Sequence, residues 1–208
     1  MAITVSEAQI CNLALSHIKQ TKTTIANLDT DAGITAVQCR IHYDTCRQFV
    51  LADHNWNFAT IRVTLADISS DPMSPVTWGF RYDYPSDCLK IQSIERLTKT
   101  AVPTPYRVEL EDDGSGLSVL TDQEEARIIY TTDVTNTTLF SPGFVKSLSW
   151  YLASELAPSL TGDEKIQEAA LTVYRNTLVS AEATDSGEGE ADPEIDSPWE
   201  RARIGGRA

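Results

Sequence analysis

Apolar residues recur with a helical period near both ends of this chain and with a period of two in its middle. Ser6 and Gln9 have the spacing of a capping box, and the apolar pattern after them predicts an amphipathic helix over residues 6–20. A second stripe, with steps of three and four, predicts a helix from about residue 32 to 53. Its members are Ala36, Cys39, Tyr43, Cys46 and Val50. Because both stripes need cover from water, we expect the two helices to pack together.

Residues 56–140 show the alternating pattern of β-strands. The pattern occurs in residues 61–65, 78–84, 89–91, 106–110, 117–120 and 126–130. The stretch Asp112-Asp-Gly-Ser-Gly116 between two of these segments favours a hairpin turn. We expect a small antiparallel sheet or an open barrel.

Two further helical stripes follow the β segment. Ser141 and Pro142 supply an N-cap and a favoured first helical residue, which predicts a helix over about residues 142–157 that Pro158 stops. A fourth stripe with helical spacing ends near Ala181. The resulting order is two helices, a β segment and two helices.

This order predicts an α+β fold. Residues 1–54 and 141–181 are expected to form one four-helix bundle, because an apolar stripe on each helix must be covered by the others. Residues 55–140 are then an antiparallel β-rich insertion that protrudes from the bundle.

The C-terminal residues change composition twice. Residues 182–196 hold seven acidic side chains and no basic one, which predicts a disordered or extended acidic linker. Residues 197–208 regain aromatic, aliphatic and arginine side chains, which dominate many protein interfaces. We therefore expect an extended docking arm. Its predicted binding residues are Trp199, Arg201, Arg203, Ile204 and Arg207.

Thirty acidic and seventeen basic residues give the chain a formal charge of -13. This charge argues against attraction to the DNA backbone, which requires clustered Lys and Arg. It is compatible with a protein past which DNA slides, because like charges keep the polyanion from sticking.

No apolar run is long enough to cross a bilayer, and the N-terminus lacks the pattern of a signal peptide. We therefore expect no membrane partner and folding in a cytoplasm. In a reducing cytoplasm the four cysteines are expected to stay free, as small buried thiols. They are Cys11, Cys39, Cys46 and Cys88.

The common local signatures of hydrolases, nucleotide enzymes and metalloproteases do not occur in the sequence. We expect no enzyme activity, no catalytic residue, no metal and no cofactor. Cys39, His42 and Cys46 have a spacing that also suits zinc, but two of them lie on the predicted core stripe. Asp112 and Asp113 suit a hairpin turn better than a calcium loop.

The remaining candidate side chains also have an ordinary structural interpretation. His17 and His54 lack a nearby Ser, Cys and Asp arrangement, so surface or capping roles are expected. Several aromatic residues suit either a ligand groove or the core, and the core is favoured. They are Trp56, Trp78, Trp150, Tyr82 and Tyr84.

Several phrases of the chain, taken together in order and spacing, resemble the tail tubular protein A family, the head-to-tail adaptors of short-tailed bacteriophages. The resemblance spans nearly the whole chain. It rests on AQICNLAL at 8–15, YDTCR at 43–47, HNWNFATIR at 54–62, WGFRYDYPSDCLKI at 78–91, FVKSLSWYLA at 144–153 and LTGD at 160–163.

This resemblance implies a virion protein of the phage neck, assembled in the host cytoplasm as a ring of about twelve subunits beneath the portal. It implies that the helical part forms the ring body, that the β part faces the tail nozzle and that the C-terminal arm reaches the portal. Genomic double-stranded DNA passes through the ring. A subunit that stays monomeric until the portal offers a template is also compatible with the family.

Two other interpretations stay open at this point. A tail terminator or a head-completion protein shares the same physical features, since fold alone does not determine function. A small soluble enzyme with a dispersed site requires a deep pocket with convergent polar groups and perturbed carboxylates.

Overall fold

A computed structural model describes residues 5–20, 24–69, 77–95, 103–111, 114 and 116–187. The fold is α+β, as the sequence predicts. Its helices are α1 (Glu7–His17), α2 (Ile34–Asp53), α3 (Pro142–Thr161) and α4 (Glu164–Gly187). Its strands are β1 (Thr60–Thr64), β2 (Phe80–Asp83), β3 (Cys88–Ile94), β4 (Tyr106–Leu110), β5 (Leu117–Thr121) and β6 (Arg127–Thr132). No helix in these ranges is long and apolar enough to cross a membrane.

Two helices begin at the caps that the sequence predicts. The Gln9 backbone N–H donates to Ser6 Oγ at 3.3 Å, and the Ser6 N–H donates back to Gln9 Oε1 at 2.9 Å, so the capping box is confirmed. At α3, the Phe144 N–H donates to Ser141 Oγ at 3.2 Å, and Pro142 occupies the first helical turn.

The prediction that Pro158 stops α3 is wrong, because the helix continues through it to Thr161. Pro158 is exposed and lies in the last turn, where its missing N–H removes a single backbone hydrogen bond. The helix ends instead at Gly162, whose φ of 66° is left-handed and whose N–H donates to the Pro158 carbonyl. Glycine adopts this conformation without a Cβ clash.

Helix α3 lies at the centre of the helical part, and α1, α2 and α4 each pack against it. It is buried on almost every side. Residues of all four helices form a single hydrophobic cluster, which also includes Trp56, Val134 and Phe140 from the chain that enters and leaves the β segment. The Trp56 indole N–H donates to the Val50 carbonyl at 2.8 Å, so this buried ring is also satisfied as a donor.

The β segment forms two three-stranded antiparallel sheets, with strand orders β1-β6-β3 and β2-β5-β4. The predicted hairpin is present, since β4 and β5 pair with Leu110 opposite Leu117. A second hydrophobic cluster draws its residues from both sheets. Its buried members are Leu65, Tyr82, Ile91, Ile94, Val119, Ala126, Ile128 and Tyr130.

The two sheets replace the single sheet or open barrel that the sequence led us to expect. The chain passes from β5 to β6 through a turn in which Glu125 has a φ of 50°. The Tyr82 hydroxyl fixes this turn, because it donates to the Gln123 carbonyl at 2.9 Å and accepts from the Ala126 N–H at 3.3 Å. After this turn, β6 pairs with β1 and β3 and not with β5.

Gly143 of α3 lies close against Ala181 of α4. A Cβ placed on Gly143 lies 2.8 Å from the Ala181 Cβ, a distance too short for two methyl groups. We predict that Gly143→Ala lowers the free energy of unfolding by about 1–2 kcal/mol, because α4 must shift outward. Urea denaturation followed by circular dichroism measures the change.

Gly116→Ala serves as the control, since a Cβ at that position meets no atom within 4 Å. The double variant Gly143→Ala with Ala181→Gly is expected to recover much of the lost stability. A Gly143→Ala protein as stable as the parent contradicts the close packing of α3 on α4.

Candidate interaction surfaces

The sequence-predicted arm residues lie outside the described residues. They are Trp199, Arg201, Arg203, Ile204 and Arg207. The described chain ends at Gly187, the last residue of α4. The predicted acidic linker was placed at 182–196, but α4 continues six residues into that range. Residues 182–187 are therefore helical, and residues 188–196 lie beyond the described part.

The last turns of α4 are fixed to the end of α2 by polar contacts. Asp185 is buried, and it accepts the Asn57 backbone N–H at 2.9 Å, while the Asn57 side-chain amide donates to the Asp185 carbonyl at 2.8 Å. The His54 ring lies between two carboxylates, 3.5 Å from Glu182 and 3.5 Å from Asp185. These contacts explain why the acidic residues after Ala181 stay helical: tertiary partners outweigh a composition typical of disorder.

His54 therefore has a structural role at the residue that follows α2, close to the capping role that we expected. His17 is the last residue of α1, and its ring stacks on Trp150 of α3 with centroids 3.6 Å apart. Its Nε2 lies 3.1 Å from Ser149 Oγ. Burial, followed by the charge of Lys146, lowers the pKa of His17, which favours the neutral ring in this contact.

Arg47 connects the helical core to the end of the β segment. Its side chain is 3% exposed, and the guanidinium donates to Asp133, to the Val134 carbonyl at 2.8 Å and to Asp44 at 3.2 Å. Burial raises the pKa of Asp133, but hydrogen bonds from Arg47 and Gln48 together with the Arg47 charge lower it by more, so the net pKa lies below its usual value. The pair is ionised at neutral pH and holds α2 against the segment after β6.

The cysteines on the α2 stripe belong to the core, as the sequence indicates. Cys39 and Cys46 are buried in the helical cluster together with Cys11. Burial is the first cause that raises the pKa of Cys46 to about 12, so its thiol is neutral and a poor nucleophile at pH 7. Cys88 is half-buried. Within the described ranges, no group of three or more His, Cys, Asp and Glu side chains is arranged to hold a metal ion.

The aromatic residues divide between core and surface. Trp56 and Tyr82 are fully buried, whereas Trp78, Trp150 and Tyr84 are half-buried. An open cleft of about 730 Å³ lies beside β5. Its lining in the described part of the chain holds three carboxylates, together with Thr104, Gln123 and two prolines.

Exposed apolar side chains gather on the solvent side of α2, a feature that the sequence reasoning missed. Ile34 is 78% exposed and Ile41 is 60% exposed, and Val37 between them is exposed as well. Thr45 and Gln48 continue the same line with helical steps of three and four. These five residues are called the α2 face. The sequence carries a signal for it: the helix positions opposite the core stripe hold no charged residue.

A second apolar pair lies at the end of the β4–β5 hairpin. Leu110 and Leu117 face each other across the ladder and are both exposed. Val108 on β4 is also exposed. These three side chains form a second exposed apolar group in the described part of the chain.

Asp133→Asn is predicted to lower the free energy of unfolding by about 1.5–3 kcal/mol, because it leaves the buried Arg47 without its nearest counter-charge. The folded-state pKa of Asp133 is depressed, so its stabilisation is present above the unfolded pKa of about 3.9 and is lost as pH falls through the folded value. Urea denaturation at neutral pH and at several acidic pH values measures both effects.

Asp44→Asn is the matched control, since Asp44 also pairs with Arg47 but is 75% exposed. We expect it to change stability by less than about 0.5 kcal/mol. Equal losses in the two variants, or an unchanged acid dependence in Asp133→Asn, contradict the assignment.

Comparison of the sequence with protein-family models and with curated proteins gives no match.

Proposed function

We propose that this chain is a non-enzymatic structural subunit of a bacteriophage neck, a head-to-tail adaptor. Its copies form a ring that binds the portal on one side and the tail nozzle on the other. Genomic DNA passes through that ring without sequence-specific contact. The work of the subunit is assembly: weak contacts, repeated around a ring, hold head and tail together.

The observation that carries this proposal is the order of the adaptor-like phrases along the chain. The phrase at 8–15 lies in α1, and the phrase at 54–62 runs from the end of α2 into β1. The phrase at 144–153 lies in α3, the helix that contacts the other three. The resemblance thus includes residues that form the helical core.

The finer architecture belongs to the proposal as well. We propose that the four helices act as one bundle that forms the ring body, with residues 55–140 projecting towards the tail. Two observations support it. The helices contribute to a single hydrophobic cluster, and the β segment has a second cluster of its own. Each part therefore has a core that keeps its shape while its surface contacts a different partner.

The electrostatics fit a passage for DNA. With a formal charge of -13, the subunit repels the phosphate backbone, so DNA moving through the ring is not held by the wall. A sequence reader needs basic side chains directed at the grooves, and the acidic composition is the reverse of that requirement.

Electron microscopy of the virion, with this chain labelled, tests the location. The adaptor assignment requires density between the portal and the tail nozzle. A position on the tail tube itself identifies a tail terminator instead, and a position within the capsid shell contradicts the proposal.

Removal of residues 197–208 is predicted to weaken binding to the purified portal of the same phage while the fold stays intact. Trp199→Ala alone is expected to lose about 2–4 kcal/mol of binding free energy if the Trp199 indole anchors the arm in a pocket of the portal. Binding is measured by surface plasmon resonance and folding by thermal denaturation.

Trp199→Phe is the conservative control and is expected to retain much of the affinity, because an aromatic ring still fills the pocket. Truncated protein that binds the portal with unchanged affinity and completes infectious particles contradicts the role of the arm. Full-length protein without affinity for the portal contradicts the adaptor function itself.

A further inference from the structure

The α2 face is open to solvent in the described part of the chain. Ile34 is 78% exposed, Ile41 is 60% exposed, and Val37 between them is exposed as well. β-Branched residues are weaker helix formers than the charged residues usual on the solvent side of a helix. The opposite side of α2 supplies the core stripe, so packing of the described residues does not require this line of apolar side chains. Exposed apolar groups of this kind commonly mark an interaction site.

The α2 face has an aromatic ring and carboxylates at its margins. Phe49 is 47% exposed, and its ring stacks on Tyr151 of α3 with centroids 4.5 Å apart. Asp53, one helical turn after Phe49, is exposed, and the side chain of Asp44 is 75% exposed. An apolar centre with carboxylates around it suits a segment that carries both apolar and basic side chains.

The described chain ends close to the C-terminal end of α2. Gly187 is the last residue of α4, and the last turn of α4 is bound to Asn57, four residues after α2 ends. Trp199 follows Gly187 by twelve residues, which can span up to about 40 Å. Helix α2 measures about 30 Å from its C-terminal end back to Ile34. Residues 197–208 can therefore reach any part of the α2 face of their own copy.

Attachment to the same chain favours this segment over any separate partner. A group that is joined to its site by a short connection meets that site at an effective concentration on the order of 1 mM. A separate protein, or another copy of this chain, must reach a similar concentration to compete through the same contacts. The α2 face is therefore most readily covered from its own chain.

Residues 197–208 also have the composition that the face and its margins require. Trp199 and Ile204 are large apolar side chains, and three arginines outnumber the single acidic side chain, Glu200. The whole chain has a formal charge of -13, so a basic segment is attracted to it, whereas two whole copies repel each other. The arginines can pair with the exposed carboxylates at the margins of the face.

We infer that residues 197–208 bind the α2 face of their own copy in the free subunit. The inference goes beyond the proposed function, because it concerns the chain before assembly. Its consequence for assembly rests on the proposed function: α2 holds the residues that bind the portal until the portal competes for them. The arm is released where the portal offers it a more favourable site.

Fluorine NMR of the full-length chain, labelled with 5-fluorotryptophan, tests the inference. The chain has four tryptophans, and the signal that Trp199→Phe removes belongs to Trp199. We expect the Trp199 signal to differ from its position in urea. The difference is expected to persist on dilution from about 1 mM to about 10 µM, because a contact within one copy does not depend on concentration.

Ile41→Lys is expected to lower the docking equilibrium constant by about 10-fold or more, because it places an ammonium group in an apolar contact and beside arginines. The Trp199 signal then moves towards its position in urea. Val179→Lys and Leu110→Lys are the matched controls, since these side chains are 65% and 66% exposed outside the α2 face. Both add the same charge and are expected to leave the signal unchanged. Thermal denaturation reports the folding of each variant.

The length of the connection gives an independent test. Deletion of residues 188–196 places Trp199 third after Gly187, a reach of about 10 Å. Ile41 lies about 18 Å from the end of α2, so we expect the deletion to release the Trp199 signal. Replacement of the same nine residues by Gly and Ser keeps the reach and is expected to retain the docked signal.

Three results overturn the inference. The first is a parent chain whose Trp199 signal lies at its position in urea. The second is a signal that moves to that position on dilution, because it places the segment on another copy. The third is a signal that a control variant releases while Ile41→Lys does not, because the segment then lies on another surface.

Portal binding separates this inference from the proposed function. Ile41→Lys is expected to bind the portal about 3- to 10-fold more tightly than the parent, because a larger fraction of its arms is free. Unchanged affinity in a variant that has released Trp199 contradicts the covering of the arm by α2. A chain without affinity for the portal contradicts the adaptor function, whereas a free Trp199 in a chain that binds the portal contradicts only the inference.

Discussion

Burial of α3 is the constraint on which the rest of the structure depends. Ten of its residues are buried, and they point in nearly every direction around the helix axis. A helix with this composition is stable in water only if other elements surround it. Helices α1, α2 and α4 supply that cover, although they lie far apart in the sequence. Helices from before and after the β segment are therefore brought together around α3.

The second requirement is a connection between two hydrophobic clusters. The β segment has its own core, but Trp56, Val134 and Phe140 lie in the helical one. Arg47 joins the two parts by pairing with Asp133 just after β6. A buried charge pair has a demanding geometry, since removing one partner leaves the other desolvated. The pair thus orients the β segment, while the hydrophobic clusters supply most of the stability.

Local signals in the sequence predicted what depends on local physics. All five members of the α2 core stripe are buried, and the caps at Ser6 and Ser141 are present. Prediction failed where distant contacts decide. Residues 182–187 stay helical because Asp185 contacts Asn57 and His54, and β6 pairs with β1 and β3 and not with β5, which gives two sheets. The error at Pro158 is local by contrast, because a proline in the last turn removes one hydrogen bond and the left-handed Gly162 ends the helix. The α2 face was not predicted, because the buried stripe alone satisfies the amphipathic pattern of that helix.

The pairing of Thr60 with Thr131 has a consequence for how proteins of this plan can diverge. The β segment begins and ends on neighbouring strands, so its two connections to the helices lie side by side. If the segment between these two connections becomes longer, the free energy of closing it grows only with the logarithm of its length. Extra hairpins or enlarged loops can therefore be inserted between β1 and β6 while the helices keep their packing. Sequence changes in the β segment can then create surfaces for new partners while the four helices keep their structure.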